Sequence, residues 1–117
     1  MKRPELLSPA GNIEKMKAGF SFGADACYLA GKGFGMRTAA DNFTEDELNE
    51  AVKYAHALGK KVYVTVNVMP HGDEYAALEK YLDFLDSIGA DALIISDLGV
   101  LDTANRLAPH CEKHIST

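Results

Sequence analysis

The chain has 117 residues, 47% of them hydrophobic, which suits a globular core and excludes a disordered segment. Twelve basic against 17 acidic residues leave a net charge of −5, so there is no broad electrostatic footprint for nucleic acid and no attraction to an anionic membrane. No apolar run nears the roughly 20 residues that span a bilayer, and Pro4-Glu5 follows Met1-Lys2-Arg3 where a signal peptide needs an apolar stretch. Cys27 and Cys111 lie far apart, as reduced thiols rather than a disulfide framework. The expectation is a soluble, cytoplasmic chain with no membrane contact.

A first strand over 6–8 breaks at Ser8-Pro9-Ala10-Gly11, and Asn12 is placed to cap a helix over 13–22 whose apolar face is Ile13, Met16 and Phe20. Gly23 stands where the helix must turn out of its own conformation, and a second strand follows over 26–29. A loop over 30–43 carries Gly31, Gly33 and Gly35. Thr44-Glu45-Asp46-Glu47 then has the spacing of a capping box. The next stripe, Leu48, Ala51, Val52, Ala55 and Leu58, has helical spacing, ends on Gly59 and runs into a strand over 62–66. After a turn at Met69-Pro70-His71-Gly72 the unit repeats: Leu78, Tyr81, Leu82, Leu85 and Ile88, then Gly89 and a strand over 92–95. A short helix over 100–108 closed by Pro109 and a fifth strand at 114–117 complete the order.

Strand–helix alternation with such short links requires parallel strands and an α/β fold. Two architectures fit, an open doubly wound sheet and the first half of a TIM-type (β/α)8 barrel. Val62, Val64 and Val66 share one face of the third strand, while Tyr63, Thr65 and Asn67 share the other. A central doubly wound strand is apolar on both faces, whereas a barrel interior turns polar toward its catalytic mouth. The alternation favours the barrel. Because a whole barrel takes about 250 residues, residues 1–117 are expected to form one partial barrel domain ending at the fifth strand. Its two outer strands would expose unpaired edges and favour self-association.

In either architecture function gathers at the C-terminal ends of the strands. Those ends carry Ser8, Gly11, Asn67 and Asp97, and Arg37 stands in the loop after the second strand. Arg37 can fork onto a carboxylate, Asn67 can donate and accept, and Asp97 can act as a base. Ser8 and Gly11 add a hydroxyl and an open backbone for substrate. The plainer alternatives are a loop charge paired with Asp41 for Arg37, a strand end for Asn67 and a helix cap for Asp97. Gly31-Lys32-Gly33-Phe34-Gly35 lacks both the spacing and the hydroxyl of a P-loop. Cys111 and His114 are two ligands, too few for a metal site. His56 falls off its apolar stripe and reads as solvated, His71 as exposed, and Cys27 as core packing.

Glu5-Leu6-Leu7-Ser8-Pro9-Ala10-Gly11-Asn12 and Gly23-Ala24-Asp25-Ala26-Cys27-Tyr28-Leu29 resemble the opening of peptidase family U32, the collagenase-like proteases. The resemblance continues through Met36-Arg37, Asn42-Phe43-Thr44, Tyr54-Ala55-His56, the segment 59–67 and Ser96-Asp97-Leu98-Gly99. It implies a barrel-type catalytic domain of which this chain is the first part. It also implies either peptide-bond hydrolysis or a part in hydroxylating tRNA, ribosomal RNA or a quinone precursor. For the tRNA branch the implied metabolite is prephenate, a small carboxylate. Some members carry an iron–sulfur cluster, on cysteines that the resemblance places downstream of this region, and no cofactor is expected on this chain itself. The expected partners are a small carboxylate metabolite or a peptide, with RNA engaged through other regions. A third expectation is a non-catalytic accessory barrel subunit.

Overall fold

A computed structural model describes residues 5–30, 43–66 and 74–115. Five parallel strands, β1 (Leu7–Pro9), β2 (Ala26–Ala30), β3 (Lys61–Val66), β4 (Ala92–Ile95) and β5 (Glu112–Ile115), lie side by side in chain order. The helices α1 (Ile13–Ser21), α2 (Glu45–Ala57), α3 (Glu74–Ile88) and α4 (Leu98–Leu107) alternate with them. The register runs Cys27↔Val62, Val64↔Leu93 and Leu93↔Lys113 across the sheet. The order has no switch point, and all four helices cover one face.

Strand alternation explains that one-sidedness. Cys27, Leu29, Val62, Val64, Val66, Leu93 and Ile95 join the apolar faces of the four helices in one buried cluster. The other parity, Ala26, Tyr63 and Ala92 flanked by Tyr28 and Ile94, forms a separate small cluster that includes no helical residue. An open doubly wound sheet needs helices on both faces; among the described residues this sheet has them on one. The architecture is that of the first half of a barrel, with the second cluster on its inner face.

Local chemistry places each helix. The Asn12 side chain accepts the Lys15 N–H at 2.8 Å and starts α1. At α2, the Glu47 N–H donates to Thr44 Oγ1 at 3.2 Å while Glu47 Oε1 accepts the Thr44 N–H at 2.9 Å, a complete capping box. Such a cap is worth about 1 kcal/mol. Phe43 and Leu48, just outside and just inside that cap, are both buried in the core and fix the entry angle of the chain. The apolar face of α2 is Leu48, Ala51, Val52 and Ala55. Leu58, expected as its last member, is instead the C-cap and half exposed, because the helix ends one residue before it.

Three helices leave through the same device. Gly23, Gly59 and Gly89 have φ of 100°, 72° and 84°, a region that side chains rarely enter. In each case the glycine N–H and the following N–H bond back to the last turn: Gly59 to His56 O at 3.0 Å and Lys60 to Ala55 O at 2.8 Å, for example. The fourth helix has no such glycine and stops at Ala108, just before Pro109. It also starts at Leu98, two residues earlier than its apolar pattern suggested, because Asp97 caps it. β1 is shifted by one residue and β5 begins at Glu112 rather than His114.

Two of these exits carry a further clamp. After Gly23-Ala24, Asp25 Oδ2 accepts the Leu6 N–H at 2.8 Å, beside the start of β1. After Gly89-Ala90, Asp91 Oδ2 accepts the Val62 N–H at 2.8 Å, on the neighbouring β3. Each aspartate also exchanges backbone bonds with the strands on either side, so one residue ties three strands together at the N-terminal end of the sheet.

Candidate functional site: the mouth of the sheet

Beyond the C-terminal ends of β1, β2 and β3 lies a concavity of about 400 Å³. Pro9, Ala10, Gly11, Lys15, Tyr28, Leu29, Ala30 and Thr65 line it. Gly11, one of the expected binding residues, is among them. Among the described residues Lys15 is the one charged member of that lining, and it has no ion pair. Its backbone N–H is held by the Asn12 cap, so the first turn of α1 fixes where the side chain starts. Thr65 Oγ1 donates weakly to Leu29 O at 3.4 Å, beside the apolar wall. An exposed lysine at the edge of a mostly apolar lining suits a small anion with an apolar body.

Ser8 is not part of that lining. It pairs with Cys27 in register, so it shares the parity that faces the helices. A Cβ built on Gly19 of α1 would lie 2.8 Å from Ser8 Oγ, which shows that the hydroxyl packs under α1. The three-residue strand places Leu7 and Pro9 on the inner side instead. Arg37 and Asn67 lie outside the described residues. Asp97 stands at the mouth after β4, half-buried, and its Oδ2 accepts the Val100 N–H at 2.9 Å as the cap of α4. The capping role is observed. Tyr75 approaches from α3: its hydroxyl would lie 3.3 Å from a Cβ on Gly99, and Asp97 Oδ2 at 3.1 Å.

The opposite, N-terminal end of the inner face carries a second polar group. The Tyr63 hydroxyl donates to Glu5 Oε1 at 2.6 Å, and burial, then Glu5, pushes the phenol well above its ordinary range. Lys61 Nζ is 3.9 Å from Glu5 Oε2, and the His114 ring sits edge-on to Tyr63 at 5.1 Å. His114 Nε2 is 2.9 Å from Glu112 Oε1, and that contact holds the Glu112 carboxyl below its ordinary range. This end of a barrel serves stability rather than chemistry.

The other singled-out residues are structural. His56 is off the apolar stripe, as expected, but it is paired, with Nε2 2.9 Å from Asp91 Oδ2. His71 lies outside the described residues. Cys111 packs in the helix layer while His114 faces inward, so the two do not converge. Among the described residues no three potential ligands gather as a metal site. Cys27 is core, as expected. Burial pushes its thiol up to about 11, and burial together with Asp86 does the same for Cys111. An iron–sulfur cluster takes thiolates, usually four; two protonated thiols buried among helices do not fit one. Native protein treated with iodoacetamide at neutral pH is therefore expected to leave Cys27 and Cys111 unmodified, with both labelled after denaturation. Rapid native labelling of either, seen by peptide mass mapping, would contradict this placement.

Sequential parallel strands, one helix layer and a mouth at the C-terminal strand ends define a barrel-type α/β chain. The family model described as Peptidase family U32 matches residues 11–117, and the chain belongs to that family. It is 43% identical to tRNA hydroxylation protein P1 of Bacillus subtilis over 99% of this chain and 28% of that protein. It is 40% identical to the 23S rRNA 5-hydroxycytidine C2501 synthase of Escherichia coli over 98% of this chain and 17% of that protein. It is also 45% identical to an uncharacterized protease of Methanocaldococcus jannaschii, over 88% of this chain and 25% of that protein. The chain thus spans between 17% and 28% of the length of these relatives. No described helix is long and apolar enough to cross a membrane.

Proposed function

We propose that this chain is the opening portion of the catalytic barrel of a cytoplasmic protein that takes part in hydroxylating tRNA or ribosomal RNA. The observation that carries this is the match, over nearly all of the chain, to relatives named for RNA hydroxylation. In this reading the concavity beside β1–β3 holds a small carboxylate metabolite. Lys15 meets the carboxylate, with Arg37 as a bidentate second cation and Asn67 as a hydrogen-bonding partner. Gly11 leaves the backbone open to the ligand, Tyr28 supplies an apolar wall, and Asp97 orients the opposite rim. Ser8 serves the seam between β1 and α1. Any iron–sulfur cluster of the whole protein draws no ligand from Cys27 or Cys111.

The test is complementation of a strain lacking the gene with the full-length protein carrying Lys15→Glu or Arg37→Ala, followed by mass spectrometry of RNA nucleosides. Both variants are expected to lower the hydroxylated nucleoside at least tenfold at unchanged protein level. Full restoration by both would remove the mouth from the reaction.

A further inference from the structure

On the outer side of the helix layer, a groove of about 550 Å³ runs between α1 and α2, lined by Lys17, Ala18, Phe20, Ser21, Tyr54, Leu58 and Lys60. In a chain with 17 acidic residues, this lining contains two lysines and, among the described residues, no carboxylate. Glu14 and Glu50 lie a turn earlier on the two helices, toward the mouth. Among the described residues neither Lys17 nor Lys60 has an ion pair with a carboxylate. Lys17 is nonetheless placed: its Nζ lies 5.1 Å from the centre of the Tyr54 ring, and Tyr54 in turn stacks on Phe20 at 6.4 Å. That contact holds the ammonium in position without neutralising it.

Next in sequence to Ser21 of that lining, Phe22 caps the end of α1 and is 89% exposed, and Leu58, within the lining, is 50% exposed. An exposed phenylalanine one residue along the chain from a groove that carries two lysines combines the two elements that single-stranded nucleic acid recognises. These are cations for the phosphates and an aromatic face for a base. A protein partner rich in acidic residues would use the lysines but would have no need of a bare ring at the edge.

We infer that the α1–α2 groove is an RNA-docking surface, separate from the mouth, with Lys17 and Lys60 on backbone phosphates and Phe22 stacked on an unpaired base. The inference rests on the RNA reading of the whole protein. An RNA substrate is far larger than the nucleoside that reacts, so it must contact the protein outside the mouth. The local charge also explains how a chain of net charge −5 can contribute to RNA binding, since screening confines the effect of distant carboxylates to about 8–10 Å.

The test measures tRNA and rRNA-fragment affinity of the full-length protein against salt concentration, with Lys17→Gln/Lys60→Gln, Lys17→Arg/Lys60→Arg and Phe22→Ala. The glutamine pair is expected to flatten the log–log salt dependence by about 0.7–0.9 per lysine, and the arginine pair to preserve it. Phe22→Ala is expected to weaken binding roughly fivefold or more with the slope unchanged. Wild-type affinity and slope in both the glutamine pair and Phe22→Ala would overturn the groove while leaving the RNA reading intact. A wild-type protein that binds and hydroxylates no RNA would overturn both. Native-like circular dichroism in every variant separates these outcomes from misfolding.

Discussion

An Asp91→Ala protein is expected to lose about 2–3 kcal/mol of stability, more than its position in a short turn would suggest. The Asp91 carboxylate accepts the Val62 N–H at 2.8 Å and lies 2.9 Å from His56 Nε2. Removing it leaves the first interior donor of β3 without a partner where water reaches it poorly. An unsatisfied part-buried donor costs about 1–3 kcal/mol, and the lost bond was to a charged acceptor. Asp91→Asn keeps an acceptor and should lose about half as much. His56→Ala should lose less than about 1 kcal/mol, because that imidazole is 44% exposed and its contact is solvent-screened. Urea unfolding of the full-length protein checks this order. Equal effects of His56→Ala and Asp91→Ala would show that the pair, rather than the strand clamp, is what matters.

Leu93→Ala carries the other large effect. Leu93 is fully buried in β4, pairs in register with Val64, and belongs to the cluster shared with the four helices. Truncation there leaves a cavity between sheet and helix layer, at a cost of about 2–5 kcal/mol. Leu93→Met conserves volume and is expected to cost less than about 1.5 kcal/mol. The comparison is read from urea midpoints of the two variants. A Leu93→Ala protein as stable as wild type would mean that the helices do not pack on this face, and the barrel arrangement would fall with it.

Much of this architecture is legible in the residues themselves, for identifiable reasons. The stripes on α2 and α3 are long enough to fix phase, and the glycines after α1, α2 and α3 mark exits that only a positive φ allows. In β3 the alternation of three valines with Tyr63 and Thr65 separates helix-facing from inner side, which the burial confirms for Val62, Val64 and Val66. A three-residue strand offers no such phase. Ser8 was therefore expected at the mouth, and only the register with Cys27 shows it beneath α1.

The mouth was harder to read because its members come from separate elements. Lys15 sits in the first turn of a helix with no motif around it, and it becomes notable only when the fold brings it into one lining with Tyr28 and Thr65. At the opposite end of the sheet, Asp91 and His56 are 35 residues apart, a contact that no local pattern encodes. One signal was available: Gly23-Ala24-Asp25-Ala26 returns as Gly89-Ala90-Asp91-Ala92, and both aspartates make the same clamp. Asp97 illustrates the opposite case, in which position and residue type allow a cap or a base, and the hydrogen bond to Val100 shows that it caps α4.

The most direct test of the central claim is nucleoside mass spectrometry of tRNA and ribosomal RNA from a strain lacking the gene, beside the same strain with the gene restored. The account predicts that one nucleoside lighter by a single oxygen atom replaces its hydroxylated form in the deletion and reverts on restoration. Identical nucleoside profiles in the two strains, together with peptide cleavage by the purified full-length protein, would contradict it.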